Sequence, residues 1–532
     1  MKTRISVLLL FLCAALLHGC GQNADYVNAY DTTPDYAHET TPVPTPSPAP
    51  VPPTPEPGLP IEDNNEATSD VSAQEIHYLR WASYIQQFMA YYPPQDEHTR
   101  KWSYDIQQFR NHIFAHHAKF NVYPNINLPR NIAMGEAIDT AAIALLGSVP
   151  YLDDFSIKME IQRIAAILRD NHFIPWQLQH EPTAYPLEFR WLANGFYLIA
   201  TNEQHTAALS QKVTAINNEP IDDVFEMYYH LMSVENIYDA RYRLAAQMRY
   251  PAVIRALGLY QDGTVYSFNN GICIALTANH EIEFEFGITE VSFGGEVHGR
   301  IPIQLPVQSL HANYTPLFLS TPDIPGASVR WHTFIEDTGI LYIRLHDYNH
   351  SIIGFWIEDG ILHRDSTTPD GPARPFNRMV RDTFDANDVR AVVIDARGNP
   401  GGYVDHYSLF RFLSENVESG MLFHFFDEGS LSASLWAGDY LERLGAISVG
   451  QPMGQATEFY YFHGSASPAW DINLNYSRLN MRVPNRVWSA HPDIIANHEG
   501  NIFRPQVLIP HMIYDWVRGH DPLMAYVVER IS

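Results

Sequence analysis

Two segments of this chain combine residue types and spacings that could support chemistry. Gly429-Ser-Leu-Ser-Ala-Ser434 offers three serine hydroxyls between an expected strand and an expected helix. A serine at a helix N-terminus stands where the dipole favours a developing negative charge, as nucleophilic attack requires. The same hydroxyl also suits a plain helix N-cap. Arg397-Gly-Asn-Pro-Gly-Gly402 directly follows the apolar run Ala391–Asp395. Two glycines at the carboxyl end of a buried parallel strand let the backbone approach a ligand closely, and their N–H groups could stabilise an oxyanion. A simple strand-to-helix turn uses the same residues. A third group is His112, His116 and His117. His112 and His116 fall on one helix face at i, i+4, as zinc ligands can. However, Ile113 stands where a metalloprotease helix carries glutamate, and no third ligand is evident, so no metal site is expected. No other cofactor is expected, and the chain lacks a nucleotide phosphate loop.

The elements that must position these groups can be read from periodicity. Ile157, Ile161, Ile164 and Leu168 recur on one helical face, which predicts a helix ending near Asp170-Asn171, with His172 just past its end. Another helix is expected over Trp102 to Ala118. An earlier one starts at the capping box Ser72-Ala-Gln-Glu75. From about Pro186 to Trp331 the pattern turns to β: Phe196–Ile199, then a strand, turn and helix within Lys212–Val224, and alternation over Thr277–Val297. The final third alternates strands (Gly339–Leu345, Ala391–Asp395, Met421–Phe426, Ala446–Val449) with helices (Asp405–Glu415, Ser434–Leu444), which predicts a layered sheet with crossover helices.

Taken in order, these features resemble the core of the tail-specific protease (C-terminal processing peptidase) family over about residues 335–525, with traces from about 155. That family carries an "aspartate-x-arginine-x-asparagine-x-glycine-glycine" loop, matched by Asp395 to Gly402. It carries a "serine-x-serine-alanine" turn, matched by Ser430-Leu-Ser432-Ala433, and a "glycine-glutamate-proline-threonine-glycine" loop, matched in part by Gly450-Gln-Pro-Met-Gly454. The resemblance implies Ser432 as nucleophile, with N–H groups of Ala433 and of Gly401 or Gly402 as the oxyanion hole. One branch of the family uses a lysine after the last loop. Here Gln455 and its neighbours fill that stretch, and no lysine follows Lys212. The tricorn-like branch uses a histidine in an "aspartate-glycine-histidine-threonine" motif, which Asp170-Asn-His172-Phe173 resembles. His172 is then the base, a residue type whose free imidazole suits proton abstraction at neutral pH. That branch orients the histidine through a glutamate six residues before a proline, as Glu499 stands before Pro505, with Glu458 as the rival. Phe173, Gln451 and Met453 depart from the family pattern. Lys212–Val224 similarly resembles the closing strand, turn and helix of a PDZ domain, with Asn218 in place of glycine.

The N-terminus sets the expected compartment. Lys2 and Arg4 precede the apolar run Ile5–Leu17, too short for a spanning helix but suited to a signal peptide. The run ends in Leu17-His-Gly-Cys20, which resembles a bacterial lipobox, so Cys20 is expected to carry lipid. Thr41 to Pro60 is proline-rich, which favours an extended spacer. No later segment is read as membrane-spanning. Cys13 leaves with the leader, so Cys273 has no partner for a disulfide. The net charge of −26 repels phosphate, so nucleic acid is not an expected partner, and membrane attachment rests on the lipid.

The expected fold is therefore α+β. It runs as a signal peptide (1–19), a lipid-anchored tether (20–70), a helical region carrying His172 (71–185), a PDZ-like or β-rich insert (186–330) and a crotonase-like α/β core (331–532). The expected function is hydrolysis of polypeptide substrates by acyl transfer at the extracytoplasmic face of the cell membrane, periplasmic or cell-surface. The alternative is a non-catalytic peptide-binding lipoprotein on the same scaffold.

Overall fold

The structure is a computed structural model. It describes residues 96–121, 128–173, 183–293, 296–306, 311–312, 330–345, 354–358, 361–365, 374–402, 404, 406–461, 471–491 and 501–532. Cys20, the proline-rich stretch, the helix expected after Ser72 and Glu499 lie outside the described residues. The chain divides into two compact units. One takes 22–176 and 466–487, the other 177–465 and 488–532 together with 1–21.

The helical unit is built on α1 (Glu97–His116), α2 (Pro129–Ser148) and α3 (Asp154–Ala166). Asp96 caps α1 by accepting the Thr99 N–H (2.7 Å), and Asp153 caps α3 through Ser156. The isoleucine face of α3 is buried with Trp102, Ile106, Phe109 and Ile113 of α1 and with Ile138 and Leu145 of α2. A hairpin of Asp471–Asn473 and Asn480–Arg482 joins the same core through Leu474, Leu479 and Met481, far in sequence from the helices it packs on. Asp105 of α1 fixes the hairpin turn by accepting the N–H groups of Tyr476 and Ser477 (2.9 and 2.7 Å).

Two expectations change here. The helix before His172 ends at Ala166, and the left-handed residue that stops it is Arg169 (φ 47°), not Asn171. Lys119 holds that end by donating its ammonium to the Leu168 carbonyl. In addition, the stretch Pro129–Tyr151 is long and apolar enough by composition to cross a membrane, contrary to the sequence reading. Its Ile138, Ala142, Leu145 and Leu146 face the core of the unit, and its Asp139 pairs with Arg110 (2.7 Å).

The second unit holds a six-stranded sheet whose spatial order follows the chain: β1 (Trp331–Ile335), β2 (Ile340–Arg344), β3 (Ala391–Asp395), β4 (Leu422–Phe426), β5 (Ile447–Gly450) and β6 (Val507–Leu508). The β1–β2 pair is antiparallel and the other pairs are parallel. The central strands are apolar on both faces, as a covered parallel sheet requires. Leu341, Ile343, Val392 and Ile394 meet α6 (Arg374–Ala386), α7 (Tyr407–Asn416) and α8 (Ala433–Arg443). Tyr342, Val393, Phe423 and Phe425 meet α9 (Pro522–Ile531) on the other face.

Residues 183–312 add further β structure. They include the hairpin of Ile282–Phe293 and Glu296–Pro306, and a four-stranded sheet ordered Glu219–Pro220, Val213–Ile216, Thr264–Phe268, Cys273–Leu276. Asn217 and Asn218 form the turn at φ 49° and 67°. The helices α4 (Ile221–Leu231) and α5 (Ile237–Gln247) follow that turn.

Candidate active site

The loop after β3 spends its charged residues on its own rigidity. Arg397 and Asp395 are completely buried and paired at 2.5 Å, and Arg397 also grips Asp521 (2.8 Å). Asp521 in turn caps α9 by accepting from Leu523 N (3.1 Å). Tyr342 Oη donates to Asp395 (2.6 Å), and Arg344 donates to the Arg397 carbonyl (2.6 Å). Burial alone would raise the Asp395 carboxyl, but Arg397 and Arg344 hold it at about 2. The arginine of the motif is therefore an anchor between strand ends and the C-terminal helix.

Asn399 then ties this loop to the serine turn. Its amide donates to the Leu345 carbonyl (2.8 Å), and its backbone carbonyl accepts both Leu431 N–H (2.9 Å) and Ser434 Oγ–H (3.0 Å). Ser430 Oγ donates to the Ala396 carbonyl (2.8 Å) and accepts Asp427 N–H (3.1 Å). Two of the three serines are thus buried staples.

Ser432 differs from both. It sits at φ 52°, ψ −118°, directly before α8, and its side chain makes no capping bond to that helix. A non-glycine residue there costs on the order of 1–3 kcal/mol and persists only where its surroundings impose it. Two contacts impose it. The Ser432 N–H donates to Gln455 Oε1 (2.6 Å). Gly401, at φ 99°, lies so close that an added Cβ would stand 2.6 Å from Ser432 Cβ and 2.9 Å from Ala433 N. Glycine is required at 401 on both counts. The Ala433 N–H opens α8 and donates to no described backbone or side-chain acceptor outside the helix, at the positive end of the dipole. This is the geometry of a serine presented on a sharp strand-to-helix turn rather than used as a cap.

The two glycines separate in role. The Gly401 N–H is already donated to Asn399 Oδ1 (2.8 Å), which removes it from the oxyanion-hole set expected from sequence. Gly401 serves instead by close approach, and Gly402 follows it with φ 126°.

Glu235 and Asn236 support the loop behind the serine. Glu235 Oε2 accepts from Gln455 Nε2 (2.5 Å) and Ala456 N (2.7 Å). Asn236 donates to the carbonyls of Met453 and Gly454 (3.2 and 3.0 Å). Met453, one of the departures from the family pattern, is buried with Phe426, Leu435, Phe459 and Phe503. Glu458 begins the strand Glu458–Tyr461 and accepts a long bond from Ser489 Oγ (3.5 Å).

In the helical unit, His172 lies on a turn made by Asp170, whose Oδ1 accepts the His172 N–H (2.9 Å). The same carboxylate oxygen is 3.9 Å from His172 Nδ1. Asp170 is completely buried and its Oδ2 meets His117 Nε2 at 2.9 Å. Because His117 Nδ1 accepts the Lys119 N–H (3.2 Å), the proton of this neutral imidazole is on Nε2, donating to Asp170. Burial would raise the Asp170 carboxyl, but the His117 bond and nearby positive charge hold it below the usual range. Phe173 is fully buried, stacked on Phe109 (6.2 Å) and edge-on to His117 (6.0 Å). An aromatic residue here, where the family has threonine, anchors the turn in the helical core.

The His112 and His116 rings lie tilted at 46° with centroids 4.2 Å apart, and burial, then His116, push His112 down to about 3. His117 turns away from them to Asp170, so the three do not form one donor set. Sequence reasoning gave no role to Asp170 or Gln455. Asp170 stands two residues before His172 inside the motif quoted, a spacing typical of an Asx turn. Nothing local marks Gln455, because its partner Glu235 is 220 residues away.

No family model matches the sequence, and no curated protein matches it. Among solved structures the chain is similar to mature CPAF (10% identity, 82% of this chain and 99% of that one, TM-score 0.48). It is also similar to mature CPAF complexed with lactacystin (11%, 82% and 98%, 0.46). A third is the photosystem II D1 C-terminal processing protease (12%, 79% and 98%, 0.31). The similar structures thus include a C-terminal processing protease. With TM-scores below 0.5, the functional reading rests on the geometry of the site.

Proposed function

We propose that this chain is a serine peptidase of the tail-specific protease type that hydrolyses polypeptides by acyl transfer. The observation that carries the reading is Ser432. Its backbone is held in a strained conformation at the start of α8, its hydroxyl does not cap that helix, and the residue packed against it at 401 can only be glycine. A structural serine has no need of that arrangement, whereas a nucleophile does.

In the proposed mechanism Ser432 Oγ attacks the scissile carbonyl while His172 removes its proton. The carbonyl oxygen becomes an oxyanion held by the Ala433 N–H, with Gly402 as second donor. Collapse of the tetrahedral intermediate breaks the C–N bond, and His172 returns the proton to the leaving amine. Water, deprotonated by the same histidine, then releases the acyl group. The Asp170 carboxylate, 3.9 Å from His172 Nδ1, favours the imidazolium that forms at each step. Glu499 is the proposed second orienting acid. The fold assignment we propose is a crotonase-like core with a PDZ-like insert over 186–330. We also propose a lipoprotein anchored through Cys20, its body outside the cytoplasm at the periplasmic or outer surface.

The test uses the full-length protein in detergent with unstructured polypeptides, followed by mass spectrometry beside Ser432→Ala and His172→Ala. Cleavage lost in both folded variants supports the peptidase. A parent that cleaves nothing across a broad substrate set points to the peptide-binding scaffold.

A further inference from the structure

We propose that Gln455 is a positioning residue that holds Ser432 in its reactive conformation, acting as one half of a donor–acceptor pair with Glu235. This rests on the reading of Ser432 as a nucleophile. Gln455 is completely buried. Its Oε1 accepts the Ser432 N–H at 2.6 Å and its Nε2 donates to Glu235 Oε2 at 2.5 Å. The amide is thus fixed at both ends and cannot turn over without breaking both bonds. Glu235 is fixed by a second donor, the Ala456 N–H (2.7 Å).

Two consequences follow for the chemistry. First, the strained Ser432 backbone needs an acceptor for its N–H, and Gln455 Oε1 supplies it. Without that bond the turn can relax toward an ordinary helical N-cap, in which the hydroxyl faces the helix instead of a substrate. Second, the Ser432 N–H is spent on Gln455, so the oxyanion donor from this turn is Ala433 and not Ser432. The chain Glu235–Gln455–Ser432 therefore transmits the position of the loop before α5 to the nucleophile.

The pair has a defined polarity, which makes it testable by substitution. Gln455→Met keeps the volume but removes both bonds. Gln455→Glu keeps an acceptor for Ser432 but sets two carboxylates against each other. Glu235→Gln is the conservative variant: with its amide oxygen in the place of Oε2 it still accepts from both Gln455 Nε2 and Ala456 N.

The readout is the second-order rate of Ser432 phosphonylation by a fluorophosphonate, measured on the full-length protein beside melting temperature. We expect Gln455→Met and Gln455→Glu to slow labelling by about ten-fold or more, the scale of a lost positioning contact. Glu235→Gln should stay within about three-fold of the parent, since both bonds are kept. Parental labelling rates in Gln455→Met overturn the inference. So does a Glu235→Gln variant that melts like the parent but labels as slowly as Gln455→Met. If Gln455→Met does not fold, Gln455→Glu decides, and parental labelling by that variant overturns the inference. A parent that does not react at Ser432 removes the nucleophile reading and this inference with it. A reactive parent with insensitive variants removes this inference only.

Discussion

Ser432 and His172 each stand on a short turn beside a helix, in different units of the chain, and the two turns are held by opposite means. The Ser432 turn is fixed by polar contacts and by the absence of a side chain: Gln455 at its N–H, Asn399 at its flanks, Gly401 against its Cβ. Its backbone is strained. The His172 turn is held by burial. Phe173 is inserted among aromatic rings, and an ionised Asp170 is wedged between His117 and the His172 backbone. A nucleophile that must meet a carbonyl at one angle gains from over-determined backbone geometry. For the base proposed at His172, the Asp170 carboxylate lies beside the ring and buried Phe173 anchors the turn behind it.

The comparison can be broken in several ways. The largest expected effect is on turnover: Ser432→Ala should lower peptide hydrolysis by about 10⁴-fold or more, and His172→Ala by a similar factor. Neither should move the melting temperature by more than a few degrees. Comparable losses from both would bind the two turns to one reaction.

Next is Gly401→Ala. The added methyl meets Ser432 Cβ and two backbone atoms at under 3.0 Å, at φ 99°. We expect a destabilisation of about 2–4 kcal/mol by denaturant titration, together with loss of Ser432 reactivity. A variant with full stability and reactivity would mean that the close approach is unimportant.

Asp395→Asn tests the frame beneath the serine turn. Removing one partner from this buried pair should cost about 3–5 kcal/mol near neutral pH. Asp395 has a depressed pKa of about 2, so its contribution is complete above the ordinary carboxyl value near 4 and is lost as pH falls from there toward 2. The acid limb of the stability curve should therefore flatten in the variant. The smallest effect runs the other way. Burial, then the Asp427 charge, push the Glu428 carboxyl up to about 8. A raised carboxyl destabilises progressively as pH rises from its unfolded value near 4.5 toward 8. Glu428→Gln should accordingly gain on the order of 2 kcal/mol at pH 7 and almost nothing at pH 4.

The contrast between the two turns also explains what could be read from sequence. Ala391–Asp395 and the strands and helix around Ser432 were legible to within a residue or two, because apolar runs buried on both faces and glycine-marked turns are local signals. The serine's place came from the order of those signals. Harder to read were features that depend on partners distant in the chain. Residues 471–487 join the helical unit, and the bond from Tyr476 to Asp105 spans 371 residues, a connection that periodicity does not carry. The apolar surface of α2 is used inside that unit. The helix before His172 ends at Ala166, and the left-handed φ of Arg169 just beyond it is announced by no residue preference. The N–H of Gly401 or Gly402 was expected to face an oxyanion, and that of Gly401 meets the side chain of Asn399.

The most direct test is to treat the full-length protein with a fluorophosphonate and map the adduct by peptide mass spectrometry. The account predicts one adduct, on Ser432 and not on Ser430 or Ser434, that disappears in His172→Ala. An adduct on either buried neighbour, or none on Ser432 in a folded and detergent-solubilised parent, would contradict it.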